Sequence, residues 1–460
     1  MKRDACTWVK ALISAAAVTF LLTAGWSQNA PRLILLLPLP GFDSSEALSV
    51  SANGLTVSAN GLTVVGNSFR GDTQNPREQQ RAVYWQIAEN NNQVFVFAQP
   101  LDSPDQNDFS AAFDVSANGK LAVGFVRTSE GLRAVLWTVG STGTVLPVPP
   151  NTENTVAFAI SAAGNVVAGR AGAFTPGNFG DFLGGILDKG SAVRWEDIIP
   201  RVLPDRARAD RSAAAAVSDD GSILAGASGT ENNLVAVVWK GNNEPRELPG
   251  GVPGFGQSTV LDCSPYGAAF VGISFNDTRN YIASYWKDSG QSVEFVQLTS
   301  TAPSLARRIS GDGLEIVGQI GTFDAGRAYL WRFRNGRVEE IDLNDLVRPL
   351  PPGVTLETAF GISPNGRFIV GRAREESVIE SDGIPIIRVR RFGFLLDRRC
   401  PLDADVNRDG VVDDADLLQV IFAFGGRGYT NEDTNWDGIV DSADLLEVLF
   451  SLGKICPPSP

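Results

Sequence analysis

One nine-residue pattern, Ser-x-x-Gly-x-x-x-x-Gly, occurs seven times in this chain and limits the folds that the chain can adopt. Its Ser residues are Ser58, Ser116, Ser161, Ser218, Ser264, Ser310 and Ser363. Asn or Asp precedes the first Gly in five copies, as in Asn118-Gly119. Such a pair suits a two-residue hairpin turn, because both positions need a positive φ. Apolar residues flank each turn, so every copy predicts two antiparallel strands.

A third β-rich run follows most copies and usually ends in Trp. The residues are Trp85, Trp137, Trp239, Trp286 and Trp331, while Gly184–Leu187 and Gly393–Leu396 take this place in the third and seventh units. A fourth run comes next, as in Val94–Phe97 and Val338–Ile341. Seven units of four strands predict a mainly β protein, a seven-bladed β-propeller of four-stranded blades. We expect the Trp side chains to pack between blades rather than to form a sugar-stacking surface.

Over roughly residues 32–397 the repeat resembles a family of bacterial extracellular repeats named HAF, after the tripeptide His-Ala-Phe. Ala157-Phe158 and Ala359-Phe360 match its last two residues. The resemblance implies the propeller fold and indicates almost nothing about activity. Insertions follow the second strands of three units, at Asn67–Arg81, Gly172–Phe182 and Arg374–Arg388. We expect them to form loops on one face, where a glycan or a protein could bind.

The N-terminal residues predict export and ring closure. Three basic residues precede the apolar run Ala11–Ala24, and small residues follow it. This is typical of a secretory signal over residues 1–30; the alternative is a membrane anchor, for which the run is short. Residues 32–37 resemble a fourth strand, and we expect them to pair near Arg390–Leu396 and close a propeller that spans residues 31–398. The alternative is that they merely extend the signal segment.

Two acidic twelve-residue segments lie 28 residues apart in the tail, residues 399–460. Side-chain oxygens occur at positions 1, 3, 5, 9 and 12 of each segment, and position 7 offers a backbone carbonyl. This is the ligand pattern of an EF-hand-type calcium loop, and Gly410 and Gly438 supply its sharp turn. An apolar helix is predicted after each loop, with a stop at Gly425 or Gly453. The alternative is a disordered acidic tail.

These paired loop–helix units resemble the type I dockerin family. The resemblance implies a small α-helical domain that binds two Ca²⁺ ions and docks to a cohesin module, often in polysaccharide-degrading assemblies. The ligands that it implies are Asp405, Asn407, Asp409, Val411 (carbonyl), Asp413 and Asp416 in the first loop, and Asp433, Asn435, Asp437, Ile439 (carbonyl), Asp441 and Asp444 in the second.

The charge and the absence of His exclude several classes of function, and the cysteine positions predict one disulfide. The formal charge is −13, and residues 400–460 contribute three Lys or Arg against twelve Asp or Glu, a net of −9. This argues against nucleic acid as a partner. The chain contains no His, which excludes imidazole catalysis and His-ligated metals. Cys400 and Cys456 flank the tail and are predicted to form a disulfide after export, whereas Cys263 is predicted to be a buried thiol.

Two functions remain open from the sequence. The first is an exported calcium-binding scaffold protein that docks through its tail. The second is a carbohydrate-active enzyme, a glycoside hydrolase or lyase, with the propeller as its catalytic domain. A hydrolase needs two carboxylates about 5–10 Å apart across the sugar. Asp72, Asp181 and Glu376 are loop carboxylates that the sequence does not rank.

Overall fold

A computed structural model of the protein describes residues 31–52, 62–70, 79–90, 93–104, 109–173, 189–276, 280–301, 303–322, 325–334, 336–381, 384–399, 403–407, 409–427, 430–435 and 437–456. Within these ranges, the β-strands form seven four-stranded antiparallel sheets, which are the blades of a β-propeller. Each innermost strand contacts the innermost strands of both neighbouring blades, so the sheets surround a common axis.

The first four blades follow one another along the chain. From the axis outward, they consist of β2 (Ser44–Val50), β3 (Leu62–Phe69), β4 (Gln80–Asn90) and β5 (Gln93–Pro100); β6 (Ser110–Val115), β7 (Leu121–Thr128), β8 (Gly131–Thr138) and β9 (Thr144–Val145); β10 (Asn154–Ile160), β11 (Val166–Gly172), β12 (Ser191–Glu196) and β13 (Ile199–Val202); and β14 (Arg211–Val217), β15 (Ile223–Thr230), β16 (Asn233–Lys240) and β17 (Arg246–Glu247).

Blades five and six continue this order, and blade seven combines both ends of the propeller. The strands are β18 (Gln257–Cys263), β19 (Ala269–Phe275), β20 (Tyr281–Asp288) and β21 (Val293–Gln297); β22 (Ser304–Ile309), β23 (Glu315–Ile320), β24 (Arg327–Arg334) and β25 (Arg337–Asp342); and β26 (Val354–Ile362), β27 (Phe368–Ser381), β28 (Ile384–Asp397) and β1 (Arg32–Leu36). The short helix α1 (Leu343–Leu346) links blades six and seven.

The N-terminal strand closes the ring. β1 pairs antiparallel with β28, from Arg32 opposite Asp397 to Leu36 opposite Gly393. Arg32 also contacts Glu89 of blade one at 3.0 Å and Asp397 at 3.3 Å. The first and last strands of the propeller therefore share one sheet, which leaves no unpaired outer strand on blade seven.

The Ser-x-x-Gly pattern forms the turn between the two inner strands of each blade. In blade two, Leu121 N donates to Ser116 Oγ at 3.0 Å, and this hydroxyl donates to Asn118 Oδ1 at 2.9 Å. Gly119 has a φ of +68°, and the described glycines at the same place in blades three to seven have φ from +63° to +84°. The expectation of a positive φ at both turn positions is wrong, because the preceding residue, such as Asn118, does not adopt one. The turns all lie on one face of the ring, which we call the turn face; the opposite one is the loop face.

The first unit departs from the prediction that Ser58 is its turn residue. Ser51 takes that role, because Thr63 N donates to Ser51 Oγ at 3.0 Å and Ala47 lies opposite Gly66 in the ladder. Ser58 lies outside the described residues. The duplicated seven-residue segment of this unit therefore leaves the register of β2 and β3 intact.

The second Gly of the pattern is explained by a close backbone approach. A Cβ on Gly226 would lie 1.9 Å from Ala213 O, and the corresponding separation in the other blades is 1.9–2.1 Å. The innermost strand bulges at this point in every blade, which brings its carbonyl against the second strand. Any side chain here would force the two strands apart.

Two hydrogen bonds repeat between neighbouring blades. A backbone N–H in the third strand of one blade donates to a buried Ser or Thr of the next, as from Ala82 to Ser110 at 3.0 Å. Each Trp indole of blades one to five donates to a backbone carbonyl of the blade before it, as from Trp85 to Leu37 at 2.9 Å. The repeated Trp side chains are fully buried, as predicted for packing between blades.

Two local predictions for the later strands are wrong. The third strand of blade three is β12, where Trp195 occupies the Trp position; Gly184–Leu187 lies outside the described residues. The predicted loop Arg374–Arg388 is a hairpin, because β27 and β28 pair without a break from Phe368 to Ser381. Its outer part extends beyond the blade on the loop face. The β-branched residues between Glu375 and Arg390 account for the long strands.

Two helices follow the propeller, α2 (Asp414–Ala423) and α3 (Ser442–Ser451). They pack on each other through a small apolar cluster that includes Val412, Val420, Val440 and Val448. Gly425 and Gly453 adopt positive φ just beyond the helix ends, as predicted. In the part of the chain that the structure describes, no helix is long and apolar enough to cross a membrane.

Candidate functional site

The tail is built from two copies of one unit that are related by a shift of 28 residues. Val412 in the first loop exchanges backbone hydrogen bonds with the segment after α3, at 2.9 Å to both Gly453 and Lys454. Val440 in the second loop does the same with the segment after α2, at 2.8 Å to Gly425 and 3.0 Å to Gly426. Each loop is therefore fastened to the end of the other unit's helix.

An aspartate pair ties each loop to the start of its helix. Asp413 caps α2, and the side chain of Asp416 accepts from Asp413 N at 2.9 Å and from Asn407 N at 3.0 Å. Asp441 and Asp444 repeat this arrangement at α3, where Asp444 accepts from Asp441 N at 2.8 Å. The Asp-x-x-Asp spacing is a capping box, so these carboxylates are oriented by the backbone before any ligand binds.

The first aspartate of each loop is buried. Asp405 is 3% exposed; its Oδ2 accepts from Gly410 N at 3.0 Å, while its Oδ1 has no hydrogen-bond partner. Burial, followed by the charge of Asp416, raises the pKa of Asp405 to about 6. In the second loop, burial raises the pKa of Asp433 to about 7. Both loops therefore hold carboxylates whose negative charge lacks compensation from the protein.

The remaining predicted ligands line the same loops. Asn407 Oδ1 accepts from Asp409 N at 2.8 Å, and Asp409 Oδ1 accepts from Val411 N at 3.0 Å. Asn435, Asp437 and Ile439 repeat these contacts at 2.9 Å and 3.0 Å. Across the described residues, no group of three or more His, Cys, Asp or Glu side chains is already arranged to hold a metal ion. The donor set is nevertheless all oxygen, which is the chemistry that Ca²⁺ prefers.

The cysteines fall into two groups. Cys456 takes part in a disulfide bond. Its predicted partner Cys400 lies outside the described residues, so the pairing of these two residues stays a prediction. Cys263 is a free thiol on β18 and is 7% exposed, and burial raises its pKa well above the usual value. A thiol in this state is unreactive, so Cys263 acts as a small core residue.

The two tail helices expose large apolar side chains in equivalent positions. On α2, Leu418 is 47% exposed and Phe422 is 82% exposed; on α3, Leu446 is 47% exposed and Phe450 is 80% exposed. Ile421 and Leu449 form a further exposed pair. A small domain that exposes this much apolar surface twice has a surface typical of a protein–protein interface. We call these six residues the tail apolar face.

The tail lies against the turn face of the propeller. Asp403 contacts the blade-seven turn, where Asn365 donates to it and Arg367 forms an ion pair with it at 3.7 Å. Burial, and then the charges of Asp219 and of the tail residue Glu432, raises the pKa of Tyr266 in the blade-five turn. The loop face is on the opposite side of the ring, so a ligand bound there and a partner bound to the tail would not compete for the same surface.

The bulge of each innermost strand turns one side chain toward the propeller axis. These seven residues, which we call the bulge ring, are Leu48, Phe113, Phe158, Ala215, Leu261, Arg307 and Phe360. All seven line a cavity of about 80 Å³ at the loop-face end of the channel, and Arg308 lies beneath them. The Ala-Phe pairs noted in the sequence contain two members of this ring, Phe158 and Phe360, but the nine-residue pattern does not include the bulge position.

An ion pair crosses the axis below the bulge ring. Arg308 of blade six contacts Asp114 of blade two at 3.0 Å and Asp262 of blade five at 3.5 Å. Blades two and six are separated by three blades on one side and by two on the other. Ser49 of blade one also donates to Asp114, at 2.7 Å. The guanidinium thus connects distant parts of the ring and lies between the two axial cavities.

Three carboxylates face the second cavity, which measures about 90 Å³ and lies toward the turn face. Burial, then the charges of Asp262 and Asp114, raises the pKa of Asp219 to about 7. Burial also raises the pKa of Asp262 to about 6, although Arg308 opposes this change. Their charges exceed that of the single nearby arginine, so part of this cluster binds protons near neutral pH.

The carboxylates that were candidates for catalysis do not converge. Glu376 lies on the extended hairpin and pairs with Arg374, while Asp72 and Asp181 lie outside the described residues. Asp114 and Asp262 form ion pairs with Arg308, and all three axial aspartates face a cavity of about 90 Å³, which holds only a few water molecules. The catalytic alternative stays a prediction without a supporting contact among the described residues.

No protein-family model and no curated protein matches the chain. Among solved structures it is similar to the β-propeller domain of the Trilobed protease from Pyrococcus furiosus, with 8% identity, coverage of 76% of this chain and 93% of that chain, and a TM-score of 0.42. It is also similar to a putative TolB from Agrobacterium tumefaciens, with 18% identity, coverage of 53% and 83%, and a TM-score of 0.37. TolB from Acinetobacter baumannii gives 12% identity, coverage of 73% and 79%, and a TM-score of 0.36. Similarities at this level concern the β-propeller fold alone.

Proposed function

We propose that this protein is an exported bacterial scaffold, in which a β-propeller is attached to a partner through a calcium-dependent, dockerin-like tail. Residues 1–30 would act as the cleaved signal, residues 31–398 as the propeller, and residues 399–460 as the docking domain. The mature chain would be secreted or held at the cell surface. The partner would be a cohesin-like protein module.

The observation that carries the calcium proposal is the buried, unpartnered Oδ1 of Asp405. A buried carboxylate oxygen without a donor is costly unless a cation approaches it. In the first loop, Asp405, Asn407, Asp409, Asp413 and Asp416 would supply side-chain oxygens and Val411 its carbonyl. The second loop would use Asp433, Asn435, Asp437, Asp441 and Asp444, with the carbonyl of Ile439. Two bound Ca²⁺ ions would neutralise these carboxylates and fasten each loop to its helix.

The tail apolar face supports docking. Phe422 and Phe450 are at least 80% exposed, and each lies on a helix that begins at a proposed calcium loop. The tail carries a net charge of −9, so the complementary partner would offer an apolar surface with basic residues at its rim. Contact with the turn face leaves both exposed phenylalanines available to such a partner.

Calorimetric titration of the full exported chain with Ca²⁺ tests this function. We expect two ions per chain. Asp405→Ala with Asp416→Ala removes one ion, and Asp433→Ala with Asp444→Ala removes the other. A matched control replaces Asp210 by Ala, because this exposed carboxylate belongs to the propeller and should not change the stoichiometry. Absence of calcium binding, or tail helices that are unchanged by chelation, would contradict the proposal.

A further inference from the structure

The bulge ring forms a funnel that is apolar on one side and carries an arginine on the other. Phe113 and Phe158 have ring centroids 5.8 Å apart and form the apolar side together with Leu261. On the opposite side, the guanidinium of Arg307 lies 4.6 Å from the ring centroid of Phe360. Blades two to five thus provide hydrocarbon, and blade six provides a positive charge.

The funnel has a floor and an entrance. Arg308 forms the floor, where its charge is taken up by Asp114 and Asp262. The bulge residues precede the turn residues along every inner strand, so the funnel lies on the loop-face side of the Arg308 ion pair. At blade four the ring carries Ala215, whose small side chain leaves space that a Phe or Leu fills in five other blades. A ligand would enter from the loop face and rest against this gap.

We propose that this funnel binds an apolar side chain that carries a carboxylate. The aryl or branched alkyl group would pack against Phe113 and Phe158, and the carboxylate would receive a charge-assisted hydrogen bond from Arg307. The cavity of about 80 Å³ is roughly half the size of one known to hold benzene, so just the end of the ligand is enclosed. Two sources share this chemistry: a free aryl or alkyl carboxylic acid, and the C-terminal residue of a polypeptide.

This inference goes beyond the calcium-dependent docking function and does not depend on it. The funnel uses no tail residue, and its test is run with a chelator present. A chain that does not bind calcium would therefore contradict the docking proposal and not the funnel proposal. A funnel that does not bind the probes would contradict the funnel proposal and not the docking proposal.

Calorimetry or ligand-detected NMR on the full exported chain tests the proposal with matched probes. N-acetyl-L-phenylalanine and its neutral amide differ only in the carboxylate. We expect the acid to bind about 10-fold more tightly, because a hydrogen bond between charged groups in a partly exposed site contributes at this level. The peptide Gly-Gly-Gly-Phe and its amide form the second pair. Tighter binding of this peptide acid than of N-acetyl-L-phenylalanine identifies a polypeptide C-terminus as the ligand; equal or weaker binding identifies a free acid.

Four variants separate the parts of the funnel. Arg307→Met should bind acid and amide equally, while Arg307→Lys should keep part of the preference. Ala215→Phe fills the gap and should lose both probes. Arg201→Met changes an exposed arginine on the outer strand of blade three and should match the wild type.

Three results would overturn the proposal. They are equal affinity of the wild type for acid and amide, absence of binding to any probe at millimolar concentration, and unchanged binding in a folded Ala215→Phe variant. If Ala215→Phe does not fold, the comparison of Arg307→Met with Arg307→Lys decides the question, because both substitutions keep the length of a partly exposed side chain.

Discussion

Replacement of Arg308 by Met should destabilise the propeller in a way that depends on pH. Arg308 is the shared partner of Asp114 and Asp262, whose side chains are 7% and 10% exposed. Removal of one partner from a buried ion pair leaves an uncompensated charge and costs about 3–5 kcal/mol. The side chain of Arg308 is itself 22% exposed, so we expect the lower end of this range, about 3 kcal/mol at pH 7.5.

The loss of stability that Arg308→Met causes should be smaller at lower pH. With Arg308 in place, the folded pKa of Asp262 is already raised to about 6, above its usual value of 3.8. An acid with a raised folded pKa binds more protons in the folded than in the unfolded state, so its contribution to stability falls as pH rises through this window. Without Arg308 the pKa of Asp262 rises further, and Asp262 is neutral at pH 5. One pKa unit corresponds to about 1.4 kcal/mol, so the loss at pH 5 should be about 1–2 kcal/mol.

Urea unfolding, followed by Trp fluorescence at pH 7.5 and pH 5 in the presence of a chelator, measures this difference. Asp219 and the tail carboxylates also titrate, but they are present in both the wild type and Arg308→Met. Their contributions to the pH dependence therefore largely cancel when the two proteins are compared. Arg201→Met controls for the loss of one positive charge. The double variant Arg308→Met with Asp114→Asn should be more stable than Arg308→Met alone at pH 7.5, because it leaves one fewer buried charge. An equal loss at both pH values, or a loss below 1 kcal/mol, would refute the reasoning.

Three further predictions concern the fold and the tail. Gly226→Ala should destabilise the propeller by about 2–3 kcal/mol in urea unfolding, because its Cβ would lie 1.9 Å from a backbone carbonyl, whereas Gly250→Ala meets nothing within 4 Å and should be neutral; equal behaviour of the two would contradict the close approach. Deletion of residues 31–40 should lower the melting temperature of the whole propeller, since β1 completes blade seven, and an unchanged melting curve would count against closure. Cys400 and Cys456 should be protected from alkylation in denatured, unreduced protein, and two free thiols there would exclude the predicted bridge, which is expected to contribute about 4 kcal/mol.

The sequence indicated the architecture because the same steric demands recur in every unit. Glycine adopts the positive φ of Gly119 and its counterparts more readily than other residues, and the carbonyl beside Gly226 leaves no space for a side chain. The pattern therefore identified seven hairpins and, with the Trp runs, seven blades. Where a unit carries extra residues, the pattern was ambiguous: Ser51 and Ser58 lie in identical segments, and spacing alone does not say which of them caps the strand.

The tertiary structure decided which side chains meet. Arg308 and Asp114 are 194 residues apart and belong to blades that are not adjacent, so no local pattern links them. Phe158 and Phe360 were recognised as part of the repeat, but their place in one ring follows from a backbone position that all seven inner strands share. The extended hairpin of blade seven was missed for another reason. Its charged residues resemble those of a solvated loop, while its β-branched residues stabilise a paired ladder.

The repeat and the two acidic loops were determined by the sequence itself, since backbone sterics and clustered carboxylates act over a few residues. The channel was decided by ring closure alone, which brings seven inner strands to one axis and converts unrelated side chains into a funnel, an ion pair and a carboxylate cluster. Interactions between residues that are close along the chain, such as those within a turn or a calcium-type loop, can be recognised in the sequence. Interactions at the axis cannot be recognised in this way, because their partners come from blades that are far apart along the chain.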